Sequence, residues 1–184
     1  VDAVRDPRSL ATTLGKRFAT SLSAAFGLSS TQDAKDSTLV VGAIHQFGVL
    51  SLPDRDYYTK QDEKSAAIRK DYLAHVEKQL SAAGVKAKDA RAQAKEILAL
   101  ETALAESHWT RVESRDPDKL YNRLDIGGLK KLTPKLDWDA YLKATGHPEI
   151  TQINVATPDF FTGLEKALAA TDDAHVRHLL HFAF

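Results

Sequence analysis

Residues 52–84 read LPDRDYYTKQDEKSAAIRKDYLAHVEKQLSAAG. The stretch has two halves with opposite character. Pro53 has no amide donor and disfavours helix in the residue before it, so the first half is loop. It then sets Asp54, Arg55, Asp56, Tyr57 and Tyr58 side by side. In the second half, Thr59 followed by Asp62 matches the hydroxyl-then-acid pattern that starts a helix. Ile68, Tyr72, Val76 and Leu80 recur every fourth residue and give one apolar stripe. The helix runs to about residue 83, and Gly84 suits the C′ position because glycine takes positive φ freely. A long amphipathic helix entered through a tight joint is the core of the reading.

Working outward, residues 86–109 form a second long helix, with Ala90, Ala94, Ile97, Leu98, Leu104 and Ala105 on its buried side. So short a connection makes the two helices an antiparallel hairpin. Upstream, residues 7–26 read as a helix: Pro7 suits a first turn, Leu10, Leu14, Phe18, Leu22 and Ala25 keep helical spacing, and Gly27 stands where a cap would. Residues 29–37 are polar and read as loop. Residues 38–50, TLVVGAIHQFGVL, fit a strand or a short buried helix, and Gly42 and Gly48 weaken both. Downstream, Asp116-Pro117 marks a turn, and 126–132 and 138–145 read as short helices split by Pro134 and ended at Gly146. Residues 150–155 suit a short strand. Thr157-Pro158-Asp159 is a hydroxyl N-cap, a first-turn proline and an acid, with Phe161, Leu164 and Leu168 behind it. Thr171-Asp172-Asp173 restarts a helix that runs to the last residue. The expected fold is mainly α: a multi-helix lobe with a long antiparallel hairpin and at most short minor strands. No repeat or long linker divides it, so residues 1–184 read as one helical subdomain.

Composition narrows the function classes. Lys plus Arg and Asp plus Glu each number 25, and there is no Cys. The balance offers no basic face for nucleic acid and no polybasic case for membranes. Thiol and disulfide chemistry are excluded. No run approaches the roughly 20 apolar residues that span a bilayer, and Val1 begins no signal-peptide pattern. Met is absent even at position 1, and the closing LLHFAF stops in mid-helix without a cap. The chain therefore reads as a piece of something longer, with oligomerisation or an exposed apolar patch near Phe182 and Phe184 expected.

Three constellations are candidates for chemistry. Asp54, Arg55 and Asp56 suit a carboxylate pair tuned by arginine, or equally a loop whose charges serve the backbone while Tyr57 and Tyr58 wedge into the core. His175, His178 and His181 are spaced by three along one helical flank and are weak candidates for metal ligands, with no carboxylate at supporting spacing. The competing reading is a solvated face. Trp109 and Trp138 read as packing anchors, since no basic groove accompanies them. The patterns H-E-x-x-H, G-x-x-x-x-G-K-[ST], G-x-G-x-x-G and G-x-S-x-G are absent.

Taken together, the blocks resemble a known family. Leu52-Pro53-Asp54-Arg55-Asp56-Tyr57-Tyr58 resembles the LPDRDYY signature of the neprilysin-like zinc metalloendopeptidases, which include bacterial oligopeptidases. Residues 33–37, then Glu101 with Trp109, Arg115-Asp116-Pro117 and Lys119-Leu120-Tyr121-Asn122, resemble further blocks in the same order. So do residues 136–142, centred on Trp138, and Pro158-Asp159-Phe160-Phe161. The departures are His45, where an acid is common, and Phe47 and Ser51, where glycines are common.

The resemblance implies a two-lobed parent enzyme. One lobe would carry H-E-x-x-H, a downstream glutamate ligand and zinc. The other would cover the cavity and admit only peptides. This chain resembles part of that covering lobe, whose partners would be the catalytic lobe and, in the parent, peptide substrates. No zinc ligand, catalytic glutamate or substrate-clamping arginine of the family falls on a position here, so neither a catalytic residue nor a cofactor is expected in the chain itself. Pro53, Asp54, Arg55, Asp56, Tyr57, Tyr58, Trp109, Tyr121, Asn122 and Trp138 are then structural signature residues. In particular, Tyr57 or Tyr58 should pin the corner, and neighbouring carboxylates or carbonyls should hold Arg55. The family also implies an extracytoplasmic location. The competing reading is a stand-alone helical module that binds a protein or, through the histidine flank, a metal.

Overall fold

The computed structural model describes residues 4–20, 26–46 and 50–170. In chain order these form α1 (Pro7–Ala19), β1 (Gly27–Gln32), β2 (Val40–His45), α2 (Asp56–Thr59), α3 (Glu63–Ala82) and α4 (Ala87–Ser107). There follow β3 (Arg123–Asp125), α5 (Ile126–Leu132), α6 (Trp138–Thr145), β4 (Gln152–Val155) and α7 (Pro158–Ala170). The fold is mainly α with a small sheet.

The α3–α4 hairpin is as the stripe spacing requires. Tyr72 bonds to Glu101 and Glu77 to Arg91, so sequence runs in opposite directions along the two helices. Tyr72, Val76 and Leu80 face Ala90, Ala94, Ile97 and Leu104 in one buried cluster. Gly84 sits at φ +94°. There the Val85 amide donates to Leu80 O and the Gly84 amide to Ser81 O, which satisfies the last carbonyls of α3. The helix starts differently from expectation. Asp62, not Thr59, is the N-cap, accepting from the Ser65 amide at 2.9 Å. Thr59 is instead the last residue of α2.

The sheet has the order β1-β2-β4-β3. β2 runs parallel to β4, with Gly42 opposite Ile153 and Ile44 opposite Val155, and β1 and β3 close the edges antiparallel. The stretch 38–50, open between strand and helix by pattern, therefore supplies a strand. Its Ile44 lies against the fully buried Ile153 and Val155. The expected polar loop at 29–37 is half strand. β1 is an edge, so its outer residues need no apolar face and give no hydrophobic alternation. β3, three residues long, lies inside a region that reads as turns.

Helix α1 stops at Ala19, short of residue 26, and Gly27 opens β1 instead of capping a helix; residues 21–25 lie outside the described set. The Phe26 ring explains the change. It packs 5.1 Å from Tyr141 and 5.4 Å from both Trp138 and Phe161, so tertiary packing overrides the helical spacing. Helix α4 ends at Ser107, not 109. α5 and α6 fall where expected, and Gly146 ends α6 at φ +89°. The Thr157 hydroxyl does not cap α7. Its Oγ1 is buried without a partner among the described residues, and the Phe160 amide donates to the Thr157 carbonyl instead. The restarted helix at 171–184, with Phe182 and Phe184, lies outside the described residues.

Candidate functional site at the 52–58 joint

The joint is fastened by one buried carboxylate. Glu101 projects from the middle of α4 with no solvent exposure. Its Oε2 accepts from the Tyr72 hydroxyl at 2.7 Å and the Tyr58 hydroxyl at 3.0 Å. Its Oε1 accepts from Ser51 Oγ at 2.6 Å and the Ser51 amide at 3.2 Å. The Leu52 amide donates to Tyr58 Oη at 2.8 Å. Loop, α2, α3 and α4 thus meet at a single side chain. Burial pushes the Glu101 carboxyl above the usual range, opposed by the hydrogen bonds from Ser51, Tyr72 and Tyr58. Burial and the nearby Glu101 push the Tyr58 and Tyr72 hydroxyls upward, so both stay protonated and act as donors. Tyr58, not Tyr57, pins the corner. The Tyr57 carbonyl accepts from Arg69 at 2.7 Å, and Lys60 O accepts from the same guanidinium at 2.8 Å, which ties the end of α2 to α3.

The acid–arginine–acid run does not assemble an acid–base pair. Asp54 pairs with Arg111 at 2.8 Å and accepts from the Asp56 amide at 3.0 Å. Asp56 pairs with Lys60 at 2.7 Å on the exposed side. Two carboxylates with separate cations share no proton, so the tuned-pair reading has no geometric basis. Arg55 meets its expectation only in part: the Glu113 carboxylate lies near enough to feel its charge, but its side chain takes no hydrogen bond or close ion pair with the described residues, and its Nε is enclosed without a partner among them.

Beside the joint lies a cleft of about 440 Å³. Its apolar side is Leu50, Leu52, Pro53 and Trp109, and its polar side includes Asp54, Arg55, His108, Arg111 and Arg115. His108 packs edge-on against Phe160 at 4.9 Å, and its Nε2 is enclosed without a partner among the described residues. Burial and then the Arg55 charge hold its pKa at about 4, so the ring is neutral at pH 7.

The other signature residues serve separate fastenings. The Trp109 indole donates to Asp159 at 2.7 Å, while the Gln46 carboxamide bonds both ways with the Trp109 backbone, at 2.9 and 3.1 Å. This clasp joins the ends of β2, α4 and α7. Trp138 is fully buried and donates to Thr133 Oγ1 at 2.7 Å. The Tyr121 hydroxyl donates to the buried Asp33, which also accepts from Arg123 at 2.8 Å and from the Lys35 and Asp36 amides. The Lys35 amide, chiefly, holds the Asp33 carboxyl below its usual range. The Asn122 amide donates to Asn154 Oδ1 at 2.7 Å, which anchors the 119–123 turn to β4. His175, His178 and His181 lie outside the described residues.

Among the described residues no three His, Cys, Asp or Glu converge as a metal site, so these residues do not fit a zinc ion. No described helix is long and apolar enough to cross a membrane. Sequence reading passed over Glu101, Ser51, Asp33 and Gln46 as fastening points. Glu101 carried a signal: it stands four residues after Ile97 and four before Ala105, on the stripe that must be buried. Ser51 and Gln46 carried none, because their side chains lie in or beside a loop with no periodic pattern and meet partners far along the chain.

The pattern of peptidase family M13 matches residues 1–184. Human endothelin-converting enzyme-like 1 is 34% identical over 154 residues, which is 83% of this chain and 18% of that protein. The crystal structure of Mycobacterium tuberculosis zinc metalloprotease Zmp1 in complex with an inhibitor superposes with a TM-score of 0.90 at 29% identity. It covers 99% of this chain, which in turn spans 28% of that one. PepO from Lactobacillus rhamnosis HN001 shares the fold, with a TM-score of 0.73 at 15% identity. The chain spans less than a third of each of these relatives. The family pattern along the whole chain and the shared fold lead to one conclusion: the chain belongs to peptidase family M13.

Proposed function

We propose that this chain is a single non-catalytic helical unit of a zinc-dependent metalloendopeptidase, forming part of the wall that encloses the peptide chamber and limits substrate size. The observation that carries the reading is the superposition on Zmp1, where 99% of this chain accounts for 28% of a zinc metalloprotease. The absence of H-E-x-x-H from the sequence and of a converging ligand set among the described residues supports it. In such a parent, zinc held by other residues would supply the activated water. The described residues bind no metal in this reading. They hold a stiff wall, through the buried core and the Glu101, Asp33 and Gln46 fastenings. Its partners are the catalytic lobe and, within the chamber, peptide substrates. Excluding bulk water and folded proteins is the contribution of the wall. The signature Pro53, Asp54, Arg55, Asp56, Tyr57 and Tyr58 is a joint in it. The family resemblance supports an extracytoplasmic location.

A direct test is hydrolysis of an internally quenched peptide by the purified chain, with and without added zinc. No turnover is expected in either case. Zinc-dependent cleavage by the chain alone would overturn the proposal. The parent reading frame should also contain H-E-x-x-H.

A further inference from the structure

We propose that the cleft beside the joint is a carboxylate-recognition site, fitted to a peptide that presents either its C-terminal carboxylate or an acidic side chain. Three arginines, Arg55, Arg111 and Arg115, line the cleft against one carboxylate, Asp54. That carboxylate is already engaged by Arg111 at 2.8 Å and by the Asp56 amide at 3.0 Å. Arg55 and Arg115 make no hydrogen bond or ion pair with the described residues, and the carboxylate whose charge meets Arg55, Glu113, is exposed and stands outside the cleft lining.

Two enclosed polar atoms point to the same missing partner. Arg55 Nε and His108 Nε2 are both shielded from solvent, both without a hydrogen bond to the described residues, and both belong to residues of this one cleft. Enclosed polar atoms are satisfied in nearly all folded proteins, so two orphans at one site call for an outside group. A guanidinium has only donors, and the neutral imidazole Nε2 donates in the tautomer that carries its proton there. The group that answers them is an acceptor with several lone pairs and negative charge, which a carboxylate provides, with planar geometry matched to the guanidinium fork. Leu50, Leu52, Pro53 and Trp109 make the remaining wall apolar. That surface suits the aliphatic part of a peptide better than a free, strongly hydrated phosphate.

This inference goes beyond the covering role and does not depend on it. It stands on the side chains of the cleft. Three short peptides separate the sources of the carboxylate: acetyl-Ala-Gln-Ala with a free C-terminus, acetyl-Ala-Glu-Ala amide, and acetyl-Ala-Gln-Ala amide with no carboxylate. Binding to the intact chain is read by calorimetry and by Trp109 emission, since Trp109 borders the cleft while Trp138 is enclosed in the core. At least one carboxylate peptide should bind, and the neutral peptide should not. Arg55→Gln should weaken binding about tenfold, the value of one charge-assisted hydrogen bond. Arg115→Gln, at an exposed position that leaves folding intact, should weaken it several-fold; Lys88→Gln, on the outer face of α4, should not. Equal binding of the neutral peptide overturns the proposal. So does tighter binding of inorganic phosphate than of either carboxylate peptide, or indifference to both arginine substitutions. A negative result leaves the chamber-wall reading untouched, because a wall needs no ligand.

Discussion

Glu101 holds four donors with its two oxygens, and this decides what its removal does. In Glu101→Ala, the Tyr58 and Tyr72 hydroxyls and Ser51 lose their acceptor inside the core. A loss of about 3 kcal/mol is expected in urea unfolding. Glu101→Gln keeps one carbonyl acceptor and should lose about half as much. Tyr72→Phe removes one donor and should cost about 1 kcal/mol. The pH dependence separates Glu101 from His108. Glu101 has a folded pKa raised above 4.5, so the native state holds its proton longer. Its contribution to stability therefore falls as pH rises above that value. His108 has its pKa lowered from 6.5 to about 4, so the unfolded chain takes up the proton first. Its contribution is lost as pH falls from about 6.5 toward 4. The two slopes oppose one another in the same window. Urea midpoints at pH 4.5, 5.5 and 7 should show Glu101→Gln steepening the acid-side loss and His108→Gln flattening it. Parallel wild-type and variant profiles would contradict both assignments.

Helices α3 and α1 test the elements. Asp62 caps α3 through the Ser65 amide, and Ser65 Oγ returns a bond to Asp62 Oδ2 at 2.7 Å. Asp62→Ala should cost about 1 kcal/mol, whereas Thr59→Ala should stay within about 0.5 kcal/mol, as Thr59 makes only a long 3.3 Å bond to Arg55 O. The reverse order, read by thermal or urea unfolding, would restore Thr59 as the cap. Gly15 lets α1 approach α6: a Cβ there would meet Ala144 Cβ and Tyr141 O, each at 2.7 Å. Backbone cannot yield as a flexible side chain does, so Gly15→Ala should destabilise by about 2 kcal/mol. The contrast between Thr59 and Asp62 shows how sequence becomes legible. The hairpin could be read because its stripe, its Gly84 turn and its short connection are local. α5, α6 and β4 were equally visible between their turn residues. The end of α1 was not, because Phe26 answers to rings on α6 and α7 far along the chain. β1 was hidden because an edge strand with exposed side chains has no alternation to detect. At the joint, the signature residues were visible as a pattern, but their division of labour was not. Tyr58 and Tyr57 look alike in sequence, and only the position of Glu101 on a neighbouring helix makes one the pin.

Across the described residues, the central strand pair brings distant segments of the chain together. β2 and β4 are parallel neighbours, and the helical hairpin lies in the chain between them. The buried cluster continues without a break from Val4 through Tyr72, Ile97 and Trp138 to Ala167. α7 closes it from the far end through Phe160, Phe161 and Leu164, while its Asp159 holds the Trp109 indole at the joint. A core connected in this way should unfold in one step. The two tryptophans report from different places: Trp109 from the clasp between β2, α4 and α7, and Trp138 from the aromatic centre. Their emission and the far-ultraviolet helical signal should therefore share one urea midpoint. Trp138→Phe, which leaves Trp109 as the sole tryptophan, should shift the midpoint down without separating the two signals. If Trp109 emission instead changes well before the helical signal, the joint is an independently unfolding corner, and the single-unit reading of the chain fails.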